Sequence, residues 1–312
     1  MTDLTTVEFL TTLAAATVRL AVPVMFAGLG ETIAEKTGIL NIGIEGVMLS
    51  GAFFAFAGAW YSKSLMAGIL CGMLGGIFIS SIHGFLSINM AKDQTVSGLA
   101  LNIFALGFTS YFFKLMQNGS EYQQIDKMEI IKIPVLSKLP VLGQAFFAQD
   151  ILTYSIYVLM ILAFIFYRKT NLGLSFFAIG ENPKAAASVG IPVHKYQWIS
   201  VILNGILGGI GGANLVLVQL GVFNENMTSG RGYIALAAVI LGRYSPVGVF
   251  AAALLFGTAN ALQIRLQTIG ISISPYILAM LPYAATLFAM LFASGKNNKP
   301  KSLAVPFIKG SR

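Results

Sequence analysis

Charged residues are scarce in this chain, and their scarcity indicates its class. Of its 312 residues, 10% are charged and 56% are hydrophobic, and the mean hydropathy is +0.78. A soluble domain carries about 25% charged residues, so this chain cannot cover a folded core with a surface that water solvates. Runs of about 20 apolar residues recur along it, each long enough to cross a bilayer as a helix. We therefore predict an all-α, polytopic transmembrane bundle.

Residues with catalytic or redox chemistry are scarce as well. Cys71 is the one cysteine, which excludes an intrachain disulfide. His83 and His194 are the two histidines and lie on different segments, so there is no His-x-x-x-His metal pair. The sequence also lacks a Gly-x-x-x-x-Gly-Lys-Ser/Thr loop for nucleotide phosphates. These absences predict a chain that is not an enzyme, binds no metal or cofactor itself, and draws energy from another chain or from an ion gradient.

The apolar runs predict about nine crossings. They lie at residues 9–29, 39–61, 65–90, 95–116, 151–167, 198–220, 232–242, 247–263 and 275–292. The run at 232–242 is too short to span unaided, so it is either a half-helix or a helix whose outer end lies in protein. The first run has no small-residue cleavage site and is expected to be a retained span. Residues 1–312 are expected to form a single transmembrane domain.

The placement of lysine and arginine predicts the orientation, because cytoplasmic loops are enriched in both. The formal net charge of +8 does not predict nucleic-acid binding, since the basic residues are dispersed among loops. The tail at 293–312 is basic, so we place it in the cytoplasm, and nine crossings then put the amino end outside. The same alternation places the loop at 168–197 inside and the long loop at 117–150 outside. The length of the outer loop favours a docking surface for an external partner.

Small residues recur at the spacing that lets helices approach closely in lipid. Gly68, Gly72 and Gly76 are four residues apart, and Gly208 lies four residues before Gly212. Packing inside one subunit is the favoured interpretation, and a dimer face is the alternative.

Two ionisable residues fall within or near predicted spans, and such residues are functional candidates because a charge in lipid is costly. Arg19 lies midway along the first run, and Glu45 lies near the start of the second. We predict that the long arginine side chain pairs with Glu45. The alternative is that each side chain extends separately to water or to a backbone carbonyl.

The run "NIGIEG" places polar residues and glycines at the start of an apolar span. Glycine weakens a helix by about 1 kcal/mol per site relative to alanine, and an interrupted span often exposes backbone polar groups to a water-lined path. Asn41, Gly43 and Glu45 are therefore predicted to lie on a translocation path, together with Arg19 and with Asn102 of the fourth run. Helix packing accounts equally well for any one of the glycines.

The stretch "GENPKAAASVGIPVHKYQ" predicts a helix of about two turns in the cytoplasmic loop. Asn182 is a good N-cap, Pro183 occupies the first helical position, and Gly190 lies where a helix ends in the left-handed conformation. A helix this short is marginal in water, so something is expected to pack against it. Small side chains such as Ala185 and Ala186 suit a groove on a cytoplasmic partner.

Three segments resemble a known family. "AIGENPKAAASVGIPV" is similar to the cytoplasmic coupling loop of ABC-importer permeases for simple sugars, nucleosides and branched-chain amino acids. "GETIAEKTGILNIGIEGVMLSGAF" and "GRGYIALAAVILGRYSPVGVFAAALLFG" resemble the nucleoside-importing branch. The resemblance extends over residues 22–292. It implies a type II importer, in which two permease subunits surround a central path above two ATP-binding subunits.

Further expectations follow from this resemblance. ATP and Mg²⁺ would bind to the partner ATPase, and an external binding protein, often a lipoprotein, would deliver the substrate. The second permease would be a different, longer chain, and the complex would lie in the lipid of a bacterial plasma membrane. The coupling helix would contact the ATPase through the segment 181–190, with Glu181, Asn182, Pro183, Ala185, Ala186 and Gly190 as the candidate residues.

Three other functions remain as alternatives. The chain could be a permease for simple sugars or branched-chain amino acids, or a structural membrane subunit. It could also be an ion-coupled secondary transporter, but such a protein needs acidic residues deep in its spans. Glu45 is the only acidic residue that the predicted spans contain.

Overall fold

The computed structural model describes residues 7–117, 124–268 and 298–308, with isolated residues between 277 and 291, and these parts are mostly helical. The helices are α1 (Val7–Glu35), α2 (Ile44–Ser62), α3 (Leu65–Gly84), α4 (Gln94–Gln117), α5 (Leu142–Phe146), α6 (Ile151–Lys169), α7 (Asn171–Glu181), α8 (Pro183–Ser188), α9 (Val193–Asn214), α10 (Arg231–Leu241) and α11 (Pro246–Thr268). The π-helical segments Phe85–Asn89 and Leu215–Leu220 continue α3 and α9.

Seven of the described helices are long and apolar enough to cross a membrane: α1, α2, α3, α4, α6, α9 and α11. They correspond to seven of the nine predicted spans, and the two predicted spans without such a helix among the described residues are 232–242 and 275–292. Helix α10 has 11 residues, about 16 Å at the α-helical rise, which is too short to span a bilayer and fits both alternatives for this run. The last predicted span falls largely outside the described residues. The all-α transmembrane bundle is confirmed, and the total of nine crossings stays a prediction.

Helix α9 lies at the centre of the bundle and packs against α1, α2 and α3. Glycines permit these close approaches. A Cβ at Gly76 on α3 would collide with the backbone of Gly205 and Gly209 on α9, and a Cβ at Gly212 would collide with the carbonyl oxygen of Met48 on α2. Because Gly76 and Gly212 pack within one chain, the interpretation of the glycine spacing as packing inside the subunit is confirmed at these positions.

The connection between α4 and α6 packs against the end of α9. The amides of Ile125 and Met128 donate to the carbonyls of Gly221 and Leu217, at 2.9 Å and 2.8 Å. Farther along, α5 packs against α1. The connection also contains a 3-10 turn, Leu136–Lys138, and an antiparallel pair of two-residue strands, Ile131–Lys132 and Ala148–Gln149. Residues 124–150 of the long loop are therefore folded against one end of the bundle.

Candidate translocation and coupling sites

The carboxylate of Glu45 binds the N-terminus of the short helix α10. One oxygen accepts from the amide of Gly230 at 2.7 Å and the other from the amide of Gly232 at 2.6 Å. The first amides of a helix have no partner within it, and the positive end of the helix dipole favours an anion there. Glu45 is 7% exposed, so its charge is stabilised by α10 rather than by bulk water.

Gly232 permits this contact. A Cβ at this position would lie 2.6 Å from both the Cα and the backbone nitrogen of Glu45. Such a distance requires the backbones of α2 and α10 to separate. The glycine in "GRGY" therefore has a physical reason in the close approach of two helices.

Asn102 of α4 completes the polar cluster. Its amide oxygen accepts from the backbone amide of Gly46 at 2.8 Å. Its nitrogen donates to the carbonyl of Ile42 at 3.0 Å and to the hydroxyl of Tyr233 at 2.8 Å. Tyr233 is 43% exposed, so the cluster presents a polar, accessible edge. We define the Glu45 site as Glu45, Asn102, Gly230, Gly232 and Tyr233.

The predicted pair between Arg19 and Glu45 is wrong. Arg19 is an exposed residue of α1, and its carbonyl accepts from the side-chain nitrogen of Gln219, at the far end of α9, at 3.0 Å. About 18 Å of helix separates Arg19 from Glu31 of α1, and it is Glu31 that binds the segment leading into α2. Both oxygens of Glu45 are already bound to α10. The structure therefore places Arg19 apart from the Glu45 site.

Asn41 belongs to a buried network instead of an accessible surface. Its backbone amide donates to Glu31 Oε1 at 2.7 Å, and its side-chain nitrogen donates to Asn204 Oδ1 at 2.7 Å. Asn204 in turn donates to Glu31 Oε2 at 2.8 Å, and the hydroxyl of Ser80 donates to Asn204 Oδ1 at 3.2 Å. All four residues are at most 1% exposed. This set, the Asn204 network, ties α1, α3, α9 and the entry to α2 together.

Gly43 serves packing as well. A Cβ there would lie 2.9 Å from the side-chain oxygen of Asn41 and 3.2 Å from the carbonyl oxygen of Gly98 on α4. Of the five predicted path residues, only Glu45 and Asn102 meet at one partly accessible site. The path role of the five residues stays a prediction.

Glu31 and Asn204 are functional candidates that the sequence reasoning missed. Helix α1 was expected to end at residue 29 but continues to Glu35, so Glu31 and Glu35 are also acidic residues of a span, and both are at most 1% exposed. A sequence signal existed, because Glu31 and Glu35 are one helical turn apart and precede Gly38. The predicted spans leave "GETIAEKTG" outside the membrane helices, whereas Glu31 is buried with Asn41 and Asn204 as partners.

The predicted cytoplasmic helix is present as α8. The side-chain oxygen of Asn182 accepts from the amide of Ala185 at 3.0 Å, Pro183 is the first helical residue, and Gly190 has φ +88°. Glu181 ends the preceding helix and forms a 3.7 Å ion pair with Lys301, which is 82% exposed. Such surface pairs contribute little. The local prediction of the helix and its caps is confirmed.

The prediction of which α8 residues contact a partner is partly wrong. Ala186 is 4% exposed and packs with Ile179 and Val193 of its own chain. The exposed residues of the segment 181–190 are Asn182, Lys184, Ala185, Ser188, Val189 and Gly190. A partner at α8 would therefore meet Ala185 and Val189, whereas a charge at Ala186 would disrupt the packing of this chain.

Electrostatics at this end of the bundle centre on Lys36, in the turn after α1. Its ammonium lies 5.2 Å from the centre of the Phe177 ring. Burial lowers the pKa of Lys36, and the negative charge of Glu181 opposes that shift. The turn after α1 and the α7–α8 corner are thus neighbours.

Comparisons with known proteins agree with this architecture. A family model described as "Branched-chain amino acid transport system / permease component" matches residues 13–293. The chain is 36% identical to the guanosine ABC transporter permease protein NupQ of Bacillus subtilis, over 98% of this chain and 99% of that one. It is 35% identical to the nucleoside ABC transporter permease protein NupC of Lactococcus lactis, over 92% and 93%. It is 31% identical to the putative glucose ABC transporter permease protein TsgC13 of Haloferax volcanii, over 93% and 94%.

Proposed function

This chain belongs to the family of branched-chain amino acid transport system permease components, and we propose that it is the membrane-spanning subunit of an ATP-driven nucleoside importer. Family membership makes it a multi-pass permease of the plasma membrane and not an enzyme. The substrate class is supported by the two relatives named for guanosine and nucleosides, at 36% and 35% identity. The putative glucose permease, at 31% identity, represents a related branch.

The observation that best supports transport is the interrupted crossing at the Glu45 site. A helix that starts inside the membrane needs partners for its first amides, and Glu45 supplies them. Asn102 and Tyr233 then present an amide, a hydroxyl and an aromatic ring at the accessible edge. A neutral nucleoside offers matching groups, because its ribose hydroxyls form hydrogen bonds and its base stacks on aromatic rings, at about 1–3 kcal/mol per base. We propose that the substrate passes this edge.

The energy source is proposed to act through α8. The chain has no phosphate-binding loop of its own, so ATP and Mg²⁺ would bind to a separate ATPase subunit. The exposed surface of α8, with Ala185 and Val189, is the proposed docking site. ATP-driven closure of the ATPase pair would bias the permease towards the outward-open state, and hydrolysis would reset it. The permease contributes two states of different stability.

The assembly and orientation are proposals of the same kind. Two permease subunits, this chain and a second, longer one, would enclose the path, and an external binding protein would deliver the nucleoside. The end of the bundle that carries Lys36, α8 and residues 298–308 would face the cytoplasm, which follows the bias of basic residues. The segment 221–230 with α10, and the run at 275–292, would supply the two crossings beyond the seven long helices.

A competition assay on the assembled complex tests the substrate class. Uptake of labelled uridine into vesicles that contain the complex is measured with excess guanosine, ribose, glucose or leucine. We expect competition by guanosine and none by the other three. Competition by glucose or ribose without guanosine would assign the chain to the sugar branch, and competition by leucine to the amino-acid branch.

A further inference from the structure

We infer that residues 298–308, here called the tail strap, are a positioning element that fastens the α7–α8 corner to the turn after α1. Through this link, a displacement of α8 is passed to the Asn204 network and to the start of α2. The inference rests on the proposed function, because it takes α8 as the contact with the ATPase.

The strap binds the last turn of α7 through Ser302. The Ser302 amide donates to the carbonyl of Gly180 at 2.9 Å, and the Ser302 hydroxyl lies 2.6 Å from the same oxygen and 3.2 Å from the carbonyl oxygen of Ile179. The last carbonyls of a helix lack partners within that helix. Ser302 therefore supplies from the far end of the chain what α7 cannot supply itself.

Two residues later the strap binds the turn after α1. The Ala304 amide donates to the carbonyl of Gly38 at 3.0 Å. Gly38 has φ +86°, and a Cβ there would lie 2.9 Å from the hydroxyl oxygen of Ser302. A Cβ at Gly180 would collide with the carbonyl oxygen of Lys36 and approach Pro300. The turn after α1, the end of α7 and the tail strap thus lie in direct backbone contact, although they are distant in sequence.

Apolar side chains reinforce the link at both ends. Leu303 is 8% exposed and packs with the main core. Phe307 packs against the cluster formed by Ile179, Ala186 and Val193, and its ring centre lies 5.4 Å from that of His194. The underside of α8 is therefore completed by the strap. Burial of these side chains makes the strap part of the fold instead of a loose tail.

The geometry defines a continuous route. A displacement of α8 would move Gly180, Ser302 and Ala304 with it. The Ala304 amide is in turn hydrogen-bonded to the carbonyl of Gly38. Three residues after Gly38 comes Asn41 of the Asn204 network, and Glu45 lies in the first turn of α2. Packed interiors transmit displacement because they are dense and contain few voids.

The test measures transport per ATP hydrolysed in the whole complex. Ser302→Ala removes the hydroxyl contacts and keeps the hydrogen bond from the backbone amide of residue 302 to the carbonyl of Gly180. We expect uptake per ATP to fall roughly fivefold, the usual order of effect for a lost hydrogen bond, with the yield of assembled complex unchanged. Ser175→Ala is the matched control, because its hydroxyl donates only within α7, to Asn171 at 3.0 Å, and it should leave the ratio unchanged. A chain truncated after residue 299 should lose coupling more severely.

Cross-linking of Val189→Cys to the ATPase, in the absence and presence of Ser302→Ala, separates the two claims. A cross-link in both cases, with a reduced uptake-to-hydrolysis ratio for Ser302→Ala, supports the strap. If both chains cross-link, but the uptake-to-hydrolysis ratios of Ser302→Ala and of the truncated chain equal that of the wild type, the strap inference alone is overturned. Loss of the assembled complex in Ser302→Ala overturns it too, because the role would then be structural. If Val189→Cys alone forms no cross-link to the ATPase, the docking proposal is overturned, and the strap inference with it.

Discussion

Helices α8 and α10 both begin at a side-chain cap, but the caps come from different distances along the chain. Asn182 caps α8 from three residues away, whereas Glu45 caps α10 from 185 residues away. A local cap lets the first turn of α8 form from its own segment, without an acceptor from the bundle. A remote cap ties α10 to α2, so neither helix moves without the other. The two short helices are thus capped in different ways, α8 by its own segment and α10 by another helix of the bundle.

Removal of the remote cap, the carboxylate of Glu45, is expected to have the largest effect on the difference between the two helices. Glu45→Ala leaves the amides of Gly230 and Gly232 without an acceptor in a buried site. We expect the free energy of unfolding to fall by about 3 kcal/mol and uptake to fall more than tenfold. Thermal unfolding of the purified complex and vesicle uptake measure the two effects.

Glu225→Ala is the matched control for Glu45→Ala. The Glu225 carboxylate forms a 3.4 Å ion pair with Lys114, and the two side chains are 46% and 69% exposed. The loss of such a pair is expected to change stability by less than about 1 kcal/mol. Equal effects of the two variants would contradict a special role of Glu45.

The close approach of α2 and α10 is the next target. Gly232→Ala places a Cβ 2.6 Å from the Cα of Glu45, so we expect a loss of about 1–3 kcal/mol from overpacking and a severalfold loss of uptake. Gly107→Ala is the control, because its Cβ would meet nothing within 4 Å, and it should not destabilise the protein. The contact between α2 and α10 would be disproved by wild-type melting of the Gly232 variant.

The local cap is expected to have the smallest effect. Asn182→Ala should destabilise α8 by about 1 kcal/mol without a change in global thermal stability, because α8 lies outside the main core. Hydrogen exchange should show faster exchange of amides at 184–188, together with reduced uptake.

Lys184→Ala is the control for the local cap. Lys184 is exposed on the same helix, and its replacement keeps the cap and introduces the best helix former, so exchange should not accelerate. A fall in global melting temperature for Asn182→Ala would contradict a purely local effect of this cap.

Features with short-range causes were predictable from the sequence. The seven long spans and the caps of α8 follow from runs of apolar residues and from neighbours within a few positions. The bounds of α1 were not predictable in the same way. Glu31 and Glu35 interrupt the apolar run, yet α1 continues through them because Asn41 and Asn204 satisfy Glu31 inside the bundle.

Features that depend on which face meets which neighbour were mispredicted. Arg19 and Glu45 were paired because both are ionisable residues of apolar runs, but the oxygens of Glu45 face α10 and Arg19 is exposed. Ala186 was assigned to a partner because it is small, but Ile179 and Val193 cover it from within the chain. Side-chain direction depends on helix rotation, which apolarity does not specify.

The sequence by itself determined that this is a helical membrane protein without a nucleotide-binding loop, and that a short capped helix lies between two apolar segments. Those properties are local, because they depend on composition and on residues a few positions apart. Only the tertiary structure decided that Glu45 caps α10, that Asn41 joins Glu31 and Asn204, and that Ser302 returns to Gly180. Each of these contacts joins residues more than 100 positions apart or turns on which side of a helix faces the interior, and packing of the whole bundle selects among them.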